Sequence, residues 1–243
     1  MRKTLAIFIL TTLIAPIVAC QATPVTPTEE LIRSSFIAEA RLSTKAQTAI
    51  NEGRSQEALK SFENEFRKSV ILTDETLLNY AQLLRNEGNP RTAIKIIEKY
   101  ALDNKGKIRR NFSPVLLNEL AANKIENGEF IAASVILNEV LRNKRLKELH
   151  PDAHNLVGIA LDAKGRHSQA EVNFRIALNT WRGNTTSVKN NLAVCLASQG
   201  KFDEALMHLR QALIEAPNKE EISKNIELIN SIRESIIPKP SRS

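Results

Sequence analysis

Alternation of apolar and polar residues in the manner of a strand occurs over no appreciable length of this chain. Apolar positions recur instead at helical spacing, in units of near-constant length. A glycine with an alanine five residues later marks each unit: Gly53/Ala58, Gly88/Ala93, Gly128/Ala133, Gly165/Ala170 and Gly200/Ala205. The glycines are 35, 40, 37 and 35 residues apart. Seven residues before each stands a small residue: Ala46, Ala81, Ala121, Gly158 and Ala193. Four residues after each alanine stands a large apolar one: Phe62, Ile97, Leu137, Phe174 and Leu209. Seven after it come Glu65, Tyr100, Val140, Ala177 and Ala212, so the small residue expected there is present only in the last two units. The glycine ends a first helix in the left-handed conformation, which costs a residue without a Cβ almost nothing. The alanine sits where a second helix crosses the first and a larger side chain would push the two apart. A period near 34 residues marks a solenoid of helix-turn-helix units. Pro217 closes the fifth unit, and Ile222, Ile226, Ile229, Ile232 and Ile236 predict a further helix over 218–237, of the kind that covers the last apolar face of a solenoid.

These units resemble the tetratricopeptide repeat (TPR). The likeness is strongest over 155–217, in LVGIALDAKGRHSQAEVNFRIAL and NLAVCLASQGKFDEALMHLRQAL; it extends to 77–100 and 117–141 and is faint at 42–66. It implies an all-α, right-handed superhelical solenoid of about five repeats with a C-terminal capping helix, and a groove lined by the first helix of each repeat (helix A). Ten residues before each glycine stand Ser43, Leu78, Asn118, Asn155 and Asn190. Six before stand Gln47, Gln82, Ala122, Ile159 and Val194, and three before stand Ile50, Arg85, Ile125, Asp162 and Ala197. The candidate protein-binding residues are therefore Gln47, Gln82, Arg85, Asn118, Asn155 and Asn190. An asparagine amide carries donors and an acceptor, so three in register suit an extended peptide backbone. The more apolar C-terminal stretch suits an amphipathic helix. The lysine and asparagine set of a carboxylate clamp is not reproduced, which speaks against recognition of a free C-terminus.

The N-terminus carries a second pattern. Arg2 and Lys3 precede Leu5 to Val18, mostly apolar and interrupted by Thr11, Thr12 and Pro16. The stretch falls short of the roughly 20 residues that span a bilayer and has the layout of a secretory signal peptide. It ends in Ile17-Val18-Ala19-Cys20, which resembles a bacterial lipobox. That resemblance implies removal of 1–19, lipidation of Cys20 and, with Gln21 in place of an aspartate, sorting to the periplasmic face of the outer membrane. Ordinary cleavage with Cys20 incidental is the alternative. Stable anchoring takes at least two acyl chains. The expected organisation is a signal peptide at 1–19, a Thr- and Pro-rich tether at 20–30, a solenoid at 31–217, a capping helix at 218–237 and a disordered tail at 238–243.

The net charge of +7 includes Arg2 and Lys3. The remainder favours an acidic partner or anionic lipid and, without aromatic-interleaved basic motifs, does not point to nucleic acid. Lys105, Lys107, Arg109 and Arg110 fall in the longest interval between glycines and predict an enlarged basic loop around 103–111. Cys195 lies in the apolar run 192–196 and reads as a small buried thiol. No phosphate loop, nucleophile elbow or Cys-x-x-Cys is present. His150 and His154 are four apart, but Pro151 is expected to start a helix after His150, so the pair need not share a face. His167 and His208 read as solvated or partly packed. No metal, no cofactor and no enzymatic activity are expected.

The phrases GIALDAKGRHSQAE and NNLAVCLASQGKFDEAL resemble the corresponding repeats of the TadD lipoproteins of tight-adherence (Flp) pilus assembly systems, most clearly over 150–215. The resemblance implies an outer-membrane lipoprotein that binds a protein partner and helps a secretin or pilus complex assemble. The alternative is a periplasmic TPR adaptor for another cell-envelope complex.

Overall fold

The computed structural model describes residues 44–67, 73–101 and 112–236. The expectations for the signal peptide, Cys20, the tether, the basic loop and the C-terminal tail lie outside these residues. The described residues form helix α1 (44–51), α2 (Ser55–Arg67), α3 (Asp74–Asn86), α4 (Pro90–Ala101), α5 (Pro114–Glu126), α6 (Phe130–Arg142), a 3-10 helix (Lys144–Leu149), α7 (His150–Asp162), α8 (His167–Thr180), α9 (Thr186–Ser198), α10 (Phe202–Glu215) and α11 (Glu220–Ile236). Among the described residues none is in a strand, and no helix is long and apolar enough to cross a membrane.

The odd-numbered helices through α9 are the A helices of five repeats and the even-numbered ones their B helices. Gly53, Gly88, Gly128, Gly165 and Gly200 all have φ between 71° and 78°. In each turn the residue after the glycine donates its N–H back into helix A, as from Asn89 to the Leu84 carbonyl at 2.8 Å and from Lys201 to Leu196 at 3.0 Å. The glycine N–H bonds the carbonyl three residues back, as from Gly128 to Ile125 at 2.9 Å. This pair of hydrogen bonds is the Schellman motif, and it consumes carbonyls that the end of helix A would leave unpaired. Helix starts are marked less uniformly. The Thr73 hydroxyl accepts from the Thr76 N–H at 3.2 Å before α3, while prolines stand in the first turns of α4, α5 and α7.

Packing between A and B helices uses the small positions as the period requires. Ala58, Ala93, Ala133, Ala170 and Ala205 are fully buried, and so are Ala46, Ala81, Ala121 and Ala193. Phe62, Ile97, Leu137, Phe174 and Leu209 fill the space beside them, burying most of each side chain. That removal of apolar area from water is worth roughly 1.5–3 kcal/mol per side chain. Among the repeats without the small residue, the second carries an aromatic one that packs against its neighbours. Half-buried Tyr100 meets Phe66 edge-on at 6.1 Å between ring centroids, and Phe62 stacks on Tyr80 at 5.0 Å. Burial pushes the Tyr80 hydroxyl up to about 12.

One local expectation needs correcting. His150 does not precede the helix but opens α7, with Pro151 beside it, because the 3-10 turn at Lys144–Leu149 feeds straight into it. Asn143 caps that turn, its side chain accepting from the Arg145 N–H at 3.1 Å.

Candidate interaction groove

The A-helix face differs sharply along the solenoid. On the first two A helices, Gln47, Ile50, Asn79, Gln82, Leu83 and Asn86 surround a cleft of about 140 Å³. Gln47 and Gln82, from two separate repeats, are thus brought to one place. Gln47 is exposed and donates to Asn51 of its own helix at 3.0 Å; Gln82 is half-buried.

Arg85 lies near this cleft but is committed to the next repeat. Its Nε donates to Glu119 Oε1 at 2.9 Å, and the Glu119 side chain is only 6% exposed. Asn123, fully buried, donates Nδ2 to Glu119 Oε1 at 2.8 Å and to the Glu119 carbonyl at 2.9 Å. Burial pushes the Glu119 carboxyl up, and the Arg85 guanidinium opposes that shift. Lys124, also on α5, turns to the B-helix side and bonds Glu98 at 2.8 Å and Glu129 at 3.0 Å. Burial works against its charge, but these two carboxylates outweigh it and hold its pKa above the ordinary value. Nothing in the sequence singles out Glu119, Asn123 or Lys124: charged and polar residues in the middle of a helix are read as solvated unless their partners in other repeats are known.

The three asparagines do not form an open ladder. Asn118, Asn155 and Asn190 are 3%, 8% and 7% exposed. Each ties its own A helix to the next. Asn118 Nδ2 donates to Asp152 Oδ2 at 2.8 Å and to the Leu149 carbonyl at 3.2 Å. Asn155 Oδ1 accepts from Asn191 at 3.1 Å. Asn190 Oδ1 accepts from Asn225 at 2.8 Å while its Nδ2 donates to Glu221 at 3.2 Å. The physical reason is spacing. Adjacent A helices pack closely enough that a short amide reaches its neighbour, and a buried amide must be hydrogen-bonded. Asp152 is half-buried in this arrangement, and desolvation raises its carboxyl, a shift that the Asn118 bond and the charge of Arg85 partly offset. Asn225 is the residue that sequence reasoning missed. It stands 35 residues after Asn190, one repeat length on, so the signal was present.

Farther along, Val194 is exposed while Ile159 and Ala197 are half-buried. Glu171 of α8 gathers Arg175 at 2.8 Å, Lys201 at 2.6 Å and Gln199 at 2.9 Å, tying the fourth repeat to the fifth. Partial burial opposes its ionised form, but these three donors prevail and hold its carboxyl down at about 2. His150 and His154 line one cleft of about 550 Å³ between the start of α7 and Trp181–Arg182, yet their rings are engaged separately. His150 Nε2 lies 3.1 Å from the Val140 carbonyl, and His154 Nδ1 lies 3.0 Å from Asn173 Oδ1.

Repeated A/B helix pairs with glycine-ended A helices define the tetratricopeptide-repeat fold, and solved structures bear this out. A thermophilic TPR protein of Thermus thermophilus superposes with a TM-score of 0.66 at 19% identity, over 79% of this chain and 99% of that one. The Cut9–Hcn1 hetero-tetramer of the APC/C gives 0.60 at 18% identity over 86% of this chain, which spans 40% of the matched one. A tetratricopeptide repeat protein of Parabacteroides merdae gives 0.51 at 17% identity, over 82% of this chain and 75% of that one. No family model matches the sequence, and no curated protein is significantly similar to it.

Proposed function

We propose that this chain is a lipid-anchored TPR scaffold of the outer membrane, held there through Cys20, which binds a protein partner and assists assembly of a Flp-type pilus or secretin complex. It acts by binding and not by catalysis. The anchor rests on the lipobox-like Ile17-Val18-Ala19-Cys20, and the assembly role on the resemblance of 150–215 to TadD repeats. The observation that carries the binding role is the cleft shared by Gln47, Asn79, Gln82 and Asn86. Side-chain amides from two A helices converge there, whereas Arg85 on the second of them and the asparagines of later repeats are occupied by neighbouring helices. Paired donors and acceptors suit the backbone of an extended peptide, and they read little sequence.

The test is a binding titration of the full chain against the secretin of the same pilus system. The double variant Gln47→Ala, Gln82→Ala should weaken binding by roughly tenfold, about 1.4 kcal/mol, with helicity and melting temperature unchanged. Unaltered affinity in that variant would refute the groove assignment. Secure binding to another envelope complex, with none to the secretin, would favour the periplasmic adaptor.

A further inference from the structure

Three residues outside the groove converge at the turn of the fourth repeat. Asp162 is the last residue of α7, and His167 is the first of α8. The Schellman turn between them, with Arg166 N–H bonded to Leu161 at 2.9 Å and Gly165 N–H to Asp162 at 2.8 Å, fixes their separation. Helix α9 of the next repeat presents Cys195, fully buried, against this turn. The His167 Nδ1 donates to Asp162 Oδ1 at 2.7 Å, and the Cys195 thiol donates to the His167 carbonyl at 3.2 Å. One ligand atom from each of the three lies within 4.8 Å of the others.

We propose that Asp162, His167 and Cys195 form a binding site for a zinc ion. A carboxylate, an imidazole and a thiolate are the donor types zinc takes, and three protein ligands leave a fourth position for water. Zinc bonds of about 2.0–2.3 Å place tetrahedral ligand atoms roughly 3.3–3.8 Å apart, so the imidazole and carboxylate separate by about 1 Å as both turn to the ion, and the sulfur, within 4.8 Å of them, closes by up to about 1 Å. On binding, the thiol releases its proton to solvent and the imidazole remains neutral, with its proton on Nε2. Gln199 supplies an outer contact. Its Nε2 lies 3.8 Å from Cys195 Sγ and is oriented by Glu171 at 2.9 Å, so a donor already faces the sulfur that would carry charge. A cleft of about 340 Å³ lined by His167, Ser168 and Gln199 opens beside the cluster on the His167 side. The three residues come from three helices with no motif spacing, so the sequence alone, from which no metal is expected, does not bring them together.

The experiment uses the full chain in mild detergent, stripped of metal, in a Cys20→Ala background where Cys195 is the remaining thiol. Cobalt(II) is titrated in and then competed with zinc chloride. The expected result is saturation at a single cobalt per chain with a thiolate-to-cobalt charge-transfer band, displaced by zinc. The band disappears in Cys195→Ala. Affinity falls at least about tenfold in His167→Ala and in the positioning variant Gln199→Ala. His167 is partly exposed, so its replacement tests the ligand set even if the buried Cys195→Ala chain fails to fold. Absence of the band from the parent protein would overturn the proposal. So would a band that survives Cys195→Ala or an affinity indifferent to His167→Ala.

Discussion

Gly158 and the five turn glycines are the same residue used for opposite reasons. The turn glycines have nothing within 4 Å of where a Cβ would sit, but their φ values are positive. Gly158 is an ordinary helical residue whose added Cβ would lie 2.6 Å from the ring of Phe174. The other four repeats carry alanine at this position. Gly158→Ala should destabilise the fourth repeat by about 1–3 kcal/mol through overpacking, read as a lowered denaturation midpoint with an unchanged slope. A neutral result would mean that the ring moves aside freely. His208 makes the complementary case for polarity. It is buried in α10, and neither ring nitrogen has a hydrogen-bond partner among the described residues. Burial holds its pKa below the usual 6.5, Glu204 opposes that shift, and Arg175 and Lys189 reinforce it. With a depressed folded pKa, the neutral ring favours folding above 6.5, and stability is lost as pH falls below that value. His208→Leu should flatten the fall in melting temperature on acidification; an identical pH profile would remove His208 as its source. The small positions were legible in the sequence because a helix crossing admits few residue types. The burial of His208 was not, because a histidine at such a position is compatible with either face.

At the scale of the element, the linkage between A helices is the part least visible in the sequence. Helix periodicity and turn glycines are local, so they marked repeat boundaries over 77–100, 117–141 and 155–217. Whether an asparagine faces water or the next repeat depends on how closely two A helices approach, and no single repeat contains that information. The same limit hid the Arg85–Glu119–Asn123 network and the 3-10 turn at Lys144–Leu149, which reshapes the entry to α7. Helix α11 shows the linkage most fully. Asn225 and Glu221 receive Asn190 as the next A helix would, and Ile222 and Ile229 are buried while Leu228 and Ile236 stay exposed. It packs as an A helix with no B helix following it among the described residues. Asn190→Ala should leave Asn225 and Glu221 without that partner and cost about 1–3 kcal/mol. Hydrogen exchange should localise the loss to α9 and α11; equal protection there in both proteins would contradict this linkage.

Over the whole molecule, the solenoid divides into an open end and a closed one. The first two A helices present amides around a cleft, while from α5 onwards carboxylates, amides and cations are engaged between repeats. Repeat proteins distribute stability through such neighbour contacts, and here the same contacts remove later side chains from the proposed binding face. The most direct measurement is the amount of heat-resistant secretin multimer in the outer-membrane fraction after deletion of this gene. If the protein is an anchored assembly lipoprotein, multimers vanish, return with the wild-type gene and fail to return with Cys20→Ala. Normal multimers in the deletion strain would contradict it.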